Sequence, residues 1–134
     1  MAYGRLAYIG EGTTSYTMDN KTALMTDDNI VMICGDVSGA VVPANGVIYT
    51  LPDSSMFPSK LRKVVVSIYD ETTQSNTSRI LKINTNGQIS VYSATTNPTT
   101  FYLSSLIFHV NRKFYNSTIG NNDMSKMTSP INAR

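Results

Sequence analysis

The chain is poor in the residues on which most small-domain chemistry relies. Its 134 residues include one cysteine, Cys34, one histidine, His109, and no tryptophan. A lone cysteine excludes an intrachain disulfide. One cysteine and one histidine cannot build a zinc site of ordinary composition within one chain. Charge is scarce as well: charged residues make up 15% of the chain, and the formal net charge is +2. No Lys/Arg cluster is read that would give an electrostatic footprint for nucleic acid. No apolar stretch approaches the ~20 residues of a membrane span, so no membrane insertion is expected. The start, Met-Ala-Tyr-Gly-Arg-Leu, lacks the apolar run of a signal peptide. On that reading the sequons at Asn20, Asn76 and Asn116 are chance matches.

Catalytic signatures are equally thin. There is no Gly-x-Ser-x-Gly, no phosphate-binding loop and no dinucleotide fingerprint. The acidic residues fall almost entirely in predicted turns, where such side chains bond their own backbone. Asp27 and Asp28 could join a loop carbonyl around calcium, but their spacing is not that of an EF-hand. His109 lies inside an alternating strand and reads as a structural side chain. Cys34 reads as a small buried hydrophobe. The expectation is a chain that is not an enzyme and uses no cofactor and no metal. A hydrolase acting on cell-wall glycans stays open as a minor alternative, because it needs only two carboxylates.

What the sequence does contain is strands. Arg79 to Tyr92 is two β-branched runs joined by a Gly-containing turn, a hairpin signal. A two-residue Asn86-Gly87 turn would mix polar and apolar side chains on each face. A three-residue loop, Thr85-Asn86-Gly87, pairs Ile83 with Ile89, Leu81 with Val91 and Lys82 with Ser90, and segregates the faces. It also places Gly87 at the left-handed position of a bulged hairpin. The wetter face then displays Lys82, Asn84, Gln88, Ser90 and Tyr92. Ile30 to Cys34 reads as a strand buried on both faces. Val37 to Ala44 reads as a loop or short edge strand. Val47 to Leu51 is a strand ended by Pro52. Met56 and Phe57 are expected to plug one end of the core. Lys63 to Tyr69 alternates, with Val64, Val66 and Ile68 on one face. Asp70 to Ser78 is polar and reads as a loop. Tyr102 to Val110 reads as the last core strand, with Leu106, Phe108 and Val110 on one side. Together these predict an all-β, single-domain antiparallel β-sandwich or jelly-roll-like barrel. Residues 1–28 form an N-terminal arm or short strand segment, 29–111 the β-sandwich core, and 112–134 a polar, poorly ordered tail.

The order of features from Asn29 to Asn111 resembles a known module. It runs from an apolar strand ending in Cys34-Gly35-Asp36-Val37-Ser38-Gly39 through Gly46-Val47-Ile48-Tyr49-Thr50-Leu51-Pro52, Phe57-Pro58-Ser59 and the Val64 to Ile68 strand. Ile83 to Val91 and Phe101 to Phe108 close the series. This resembles the β-sandwich module of tail-fibre, baseplate and receptor-binding proteins of tailed phages that infect Gram-positive bacteria. The match covers about three-fifths of the chain and consists of turn and core positions. About 28 residues precede it, where such proteins often carry a long trimerising region. The resemblance implies a virion protein of the tail or baseplate, made in the host cytoplasm. Its partners would be host cell-wall saccharide or other tail and baseplate proteins, and a homotrimer is one assembly it suggests. A structural or accessory virion protein with no ligand of its own is the alternative. There are eight tyrosines, and tyrosine beside amides and lysine suits a sugar- or protein-contacting face. The candidate ligand-binding residues are therefore Lys82, Asn84, Gln88 and Tyr92 on the hairpin's outer face, with Tyr69 added.

Overall fold

The structure is a computed structural model that describes residues 5–110. In chain order its strands are β1 (Leu6–Glu11), β2 (Thr17–Met18), β3 (Thr22–Thr26), β4 (Ile30–Ile33), β5 (Val37–Ala40) and β6 (Val47–Thr50). They continue as β7 (Arg62–Asp70), β8 (Ser75–Ile83), β9 (Gln88–Val91), β10 (Thr99–Phe101) and β11 (Ile107–His109). Two short 3-10 helices, Ser54–Met56 and Leu103–Ser105, lie between strands. A four-stranded sheet has the order β1-β3-β4-β11, and a seven-stranded sheet the order β2-β5-β10-β7-β8-β9-β6. The described pairings are antiparallel. The fold is an all-β sandwich, one of whose sheets curls into a half-barrel. Between the sheets lie Met25, Val31 and Ile33 from one side and Tyr49, Leu81, Ile83, Ile89, Val91 and Phe101 from the other, all buried. Met56 is fully buried, and Phe57 packs against the same core.

The central hairpin has the predicted register: Leu81 pairs with Val91, Lys82 with Ser90 and Ile83 with Ile89. Gly87 sits at φ +84°, and its N–H donates to Asn84 O at 2.9 Å. One detail differs. Ser90 is buried, 3% exposed, because it faces Val47 across the β9–β6 pair and accepts a hydrogen bond from Asn84 Nδ2 at 3.1 Å.

Other expectations are corrected. Asp70 to Ser78 is not a loop. β7 and β8 pair along nine residues each, turning at Glu71 to Gln74. Ser75 to Ser78 are exposed on both faces because this end of the hairpin runs past the core, so their polarity reports exposure, not irregular backbone. Thr72 and Thr73 N–H groups close the turn on Asp70 Oδ1 at 2.9 and 3.0 Å.

The stretch from Tyr102 to Val110 is not one strand. β10 belongs to the large sheet and β11 to the small one. The chain crosses between them where Asp36 Oδ1 accepts from Ser104 N (2.9 Å) and Ser104 Oγ (2.6 Å), a contact 68 residues apart in sequence. Ser105 Oγ donates to Tyr102 O at 2.7 Å, a local bond that serine readily takes in place of a ladder.

Cys34 is exposed, since β4 ends at Ile33 and its side chains alternate between half-buried and buried. His109 is likewise exposed on β11. β5 is not an edge strand, because β2 covers its outer side.

The stretch read as an N-terminal arm or short strand segment supplies three strands. β3 pairs with β4 across residue 28, and Ala23 and Met25 reach the core. Gly12 lets the Tyr49 ring approach the backbone, a space any Cβ would fill. The Tyr49 hydroxyl donates to Lys21 O at 2.7 Å. The tail, residues 112–134, lies outside the described residues.

Candidate functional site

Side chains alternate across a strand, so the two registers around β8 decide what meets on the outer face of the large sheet. Pairing with β9 sets Lys82 beside Ser90, one diagonal step from Tyr92. Pairing with β7 sets Lys63 directly opposite Lys82, and Val65 opposite Ile80. Like charges directly opposite on neighbouring strands are destabilising. Here both ammonium groups lie over one ring: Lys82 Nζ is 4.8 Å and Lys63 Nζ 5.9 Å from the centroid of Tyr92. The ring's negative face offsets part of the repulsion. Lys82 Nζ also donates to Asn45 Oδ1 at 2.8 Å, which holds its side chain in place.

Beside this group is an open cleft of about 410 Å³ whose polar lining includes Asn45, Lys82, Asn84, Gln88 and Ser90, with Leu61 as an apolar wall. The hairpin loop builds it. Asn86 Oδ1 accepts from Gln88 N at 3.1 Å, and Asn86 Nδ2 donates to Gln88 Oε1 at 3.3 Å. Asn84 Nδ2 donates to both Gln88 O and Ser90 Oγ, at 2.9 and 3.1 Å. Asn84 is thus occupied in holding the loop. Gln88, Lys82 and Asn45 are the polar groups better placed to meet a ligand.

Lys82, Asn84, Gln88 and Tyr92 therefore come together. Tyr69 does not join them. It shares their sheet face but stands six residues along β7 from Lys63, about 20 Å at ~3.3 Å per residue, opposite Asn76 and Thr100. Sequence reasoning missed Lys63, Asn45 and Leu61. The signal for Lys63 was the β7–β8 hairpin: taking Asp70 to Ser78 as a loop hid the strand register that puts Lys63 across from Lys82. The reading that the chain has no basic cluster is corrected here too, since Lys60, Arg62 and Lys63 fall within four residues; of these, Lys63 stands opposite Lys82.

A smaller polar cleft of about 200 Å³ lies on the opposite side of the β7–β8 hairpin, between Asp70, Arg79 and the Ala94–Thr99 turn. The backbone N–H of Thr73, and after it the Asn97 side chain, holds the Asp70 carboxyl below its ordinary range. Arg79 Nη1 is tied to Ser93 O at 2.8 Å. These groups serve the turns around them. Among the described residues, no three His, Cys, Asp or Glu side chains group as a metal site would need, and no helix is long and apolar enough to cross a membrane. No protein-family model matches the chain, and no curated protein matches it.

Proposed function

We propose that this chain is a tail- or baseplate-associated binding module of a tailed phage, and that it contacts host cell-surface saccharide through the outer face of its large sheet. The observation that carries the binding part is Tyr92 with two lysine ammonium groups over its ring, at the rim of an amide-lined cleft. Folding alone gains little from Lys63 facing Lys82. An anionic or phosphorylated saccharide would offset both charges at once. Gln88 and Asn45 supply amide groups for hydroxyls, and Tyr92 supplies an apolar edge and a phenol. The phage setting rests on the module resemblance.

A site this shallow binds weakly. A dissociation constant on the order of 0.1–1 mM corresponds to ~4–5.5 kcal/mol, so adhesion would depend on many copies raising the effective concentration. The test displays the protein on beads and offers them to host cells or extracted wall saccharide. Tyr92→Ala and Lys63→Gln/Lys82→Gln beads should lose adhesion while the fold persists. Undiminished adhesion would rule this face out.

One observation favours a second reading, contact with another virion protein. Val65 and Ile80 sit side by side on the same face at 67% and 48% exposure. An interface core would bury such a pair, with the lysines at its rim. Val65→Glu would then abolish incorporation into particles and leave saccharide adhesion unchanged.

A further inference from the structure

A third cleft, of about 350 Å³, is lined by Pro58, Ser59, Lys60, Leu61, Arg62 and His109. It lies at the seam between the two sheets, where β7 begins and β11 ends. Arg62 Nη1 donates to the His109 carbonyl at 2.6 Å and so joins them. Among the described residues that carbonyl is the guanidinium's only hydrogen-bond partner. A guanidinium carries five N–H donors in a rigid plane. The bond to His109 O fixes that plane and leaves donors in place for an oxyanion. Lys60 adds a second positive charge and Ser59 a hydroxyl, and among the described residues no carboxylate lines the cleft. Arg62 and Lys63 are consecutive in β7 and so project to opposite sides of the strand. This separates the seam cleft's cation from the pair over Tyr92. Leu61 lines both this cleft and the amide-lined one.

We propose that the seam cleft is a phosphate-binding site, with Arg62 as the bidentate donor and Lys60 as the second charge. Phosphate fits better than a carboxylate. It presents more acceptor oxygens and more charge to two cations, and the guanidinium fork matches its geometry. The cleft's size lies within the range of small-ligand sites, so a phosphate with a short organic substituent could enter. The inference stands on this geometry and does not need the saccharide reading.

The test titrates the full chain with inorganic phosphate, dimethyl phosphate and acetate, followed by two-dimensional amide NMR. Saturable shifts confined to residues 59–62 and 109 are expected with phosphate. A response to dimethyl phosphate as well would identify a phosphodiester linkage as the bound unit; a response to inorganic phosphate alone would identify a terminal phosphate. Arg62→Gln should weaken binding about tenfold or more, as loss of a charged hydrogen bond does. Lys60→Gln, at an exposed position where the fold is not at risk, should also weaken it. Tyr92→Ala should leave it unchanged, which keeps this result separate from the adhesion experiment. Acetate binding as tightly as phosphate, shifts spread over the surface without saturation, or a Lys60→Gln/Arg62→Gln protein that binds as wild type would each overturn the proposal.

Discussion

Replacing Gly87 should be among the most damaging single changes in the molecule, and the cost can be divided between two causes. Gly87 has φ +84°, where L side chains are rarely found. A Cβ there would also enter the ring of Phe57, at Cε1, Cδ1 and Cζ. The backbone cost of such a site is about 1–3 kcal/mol. Displacing a packed ring adds about 1–3 kcal/mol more, the usual cost of overpacking. Gly87→Val should therefore lose about 2–6 kcal/mol against a total of about 5–15 kcal/mol for a domain. With a urea m-value of ~2 kcal/mol/M, the denaturation midpoint would fall by about 1–3 M. Gly39 supplies the control, because it too has positive φ, +65°, but nothing lies within 4 Å of an added Cβ. Gly39→Ala should cost only the backbone part. Gly87→Ala should cost more, and the excess should shrink in a Phe57→Ala background. A Gly87→Val protein that unfolds at the wild-type midpoint would refute the left-handed turn and the register built on it. An excess that persists without Phe57 would leave the turn standing and remove the packing argument.

The same hairpin shows what could be read from the chain and what could not. Its register was legible because two facts agreed: one register segregates apolar from polar side chains, and Gly87 lands where φ must be positive. Leu106, Phe108 and Val110 were legible as inward-facing for the same reason of alternation, and all three are buried. The break before them was not. It depends on Asp36 meeting Ser104, and no local pattern announces a partner 68 residues away. The far half of the β7–β8 hairpin was missed because Ser75 to Ser78 are wet on both faces. Period-2 patterning exists only where one face is dry. That miss carried over to the site. Lys82 and Tyr92 were found from their own hairpin, but Lys63 enters through the pairing that was read as a loop. The apolar run from Ile30 to Cys34 gives no local sign that β4 ends at Ile33 and leaves Cys34 exposed.

Further outcomes follow from the electrostatics. Gly12→Ala should destabilise by about 1–3 kcal/mol, read by thermal melting, because its Cβ would collide with the Tyr49 ring. Burial pushes the Tyr49 phenol from 10.0 to about 12, opposed in part by the backbone at Gly12. The phenol of the unfolded chain ionises first, so this contribution is intact below pH 10 and is lost as pH rises towards 12. The loss is on the order of 2–3 kcal/mol. Denaturant midpoints between pH 9 and 12 should fall more steeply for wild type than for Tyr49→Phe. The Asp70 carboxyl is held low by its turn N–H groups and Asn97. Its contribution is therefore present above the ordinary carboxylate range and is lost as pH falls through the lowered value; Asp70→Asn should flatten the acid limb. The last prediction joins the fold to the proposed site through salt. Lys63 and Lys82 repel each other across β7 and β8, and both are solvent-accessible, so ions screen them. Raising NaCl from 10 mM to 0.5 M should stabilise the free protein slightly, by no more than the ~0.2–1 kcal/mol of a cross-strand pair. The same salt should weaken adhesion to an anionic saccharide, because it screens the attraction that the ligand would supply. Lys63→Gln should abolish the gain in stability and reduce the salt dependence of adhesion. Opposite signs for stability and adhesion are the expected result. Adhesion that is indifferent to salt would mean that the two lysines do not meet the ligand, and would leave Val65 and Ile80, the apolar half of the same face, as the contact.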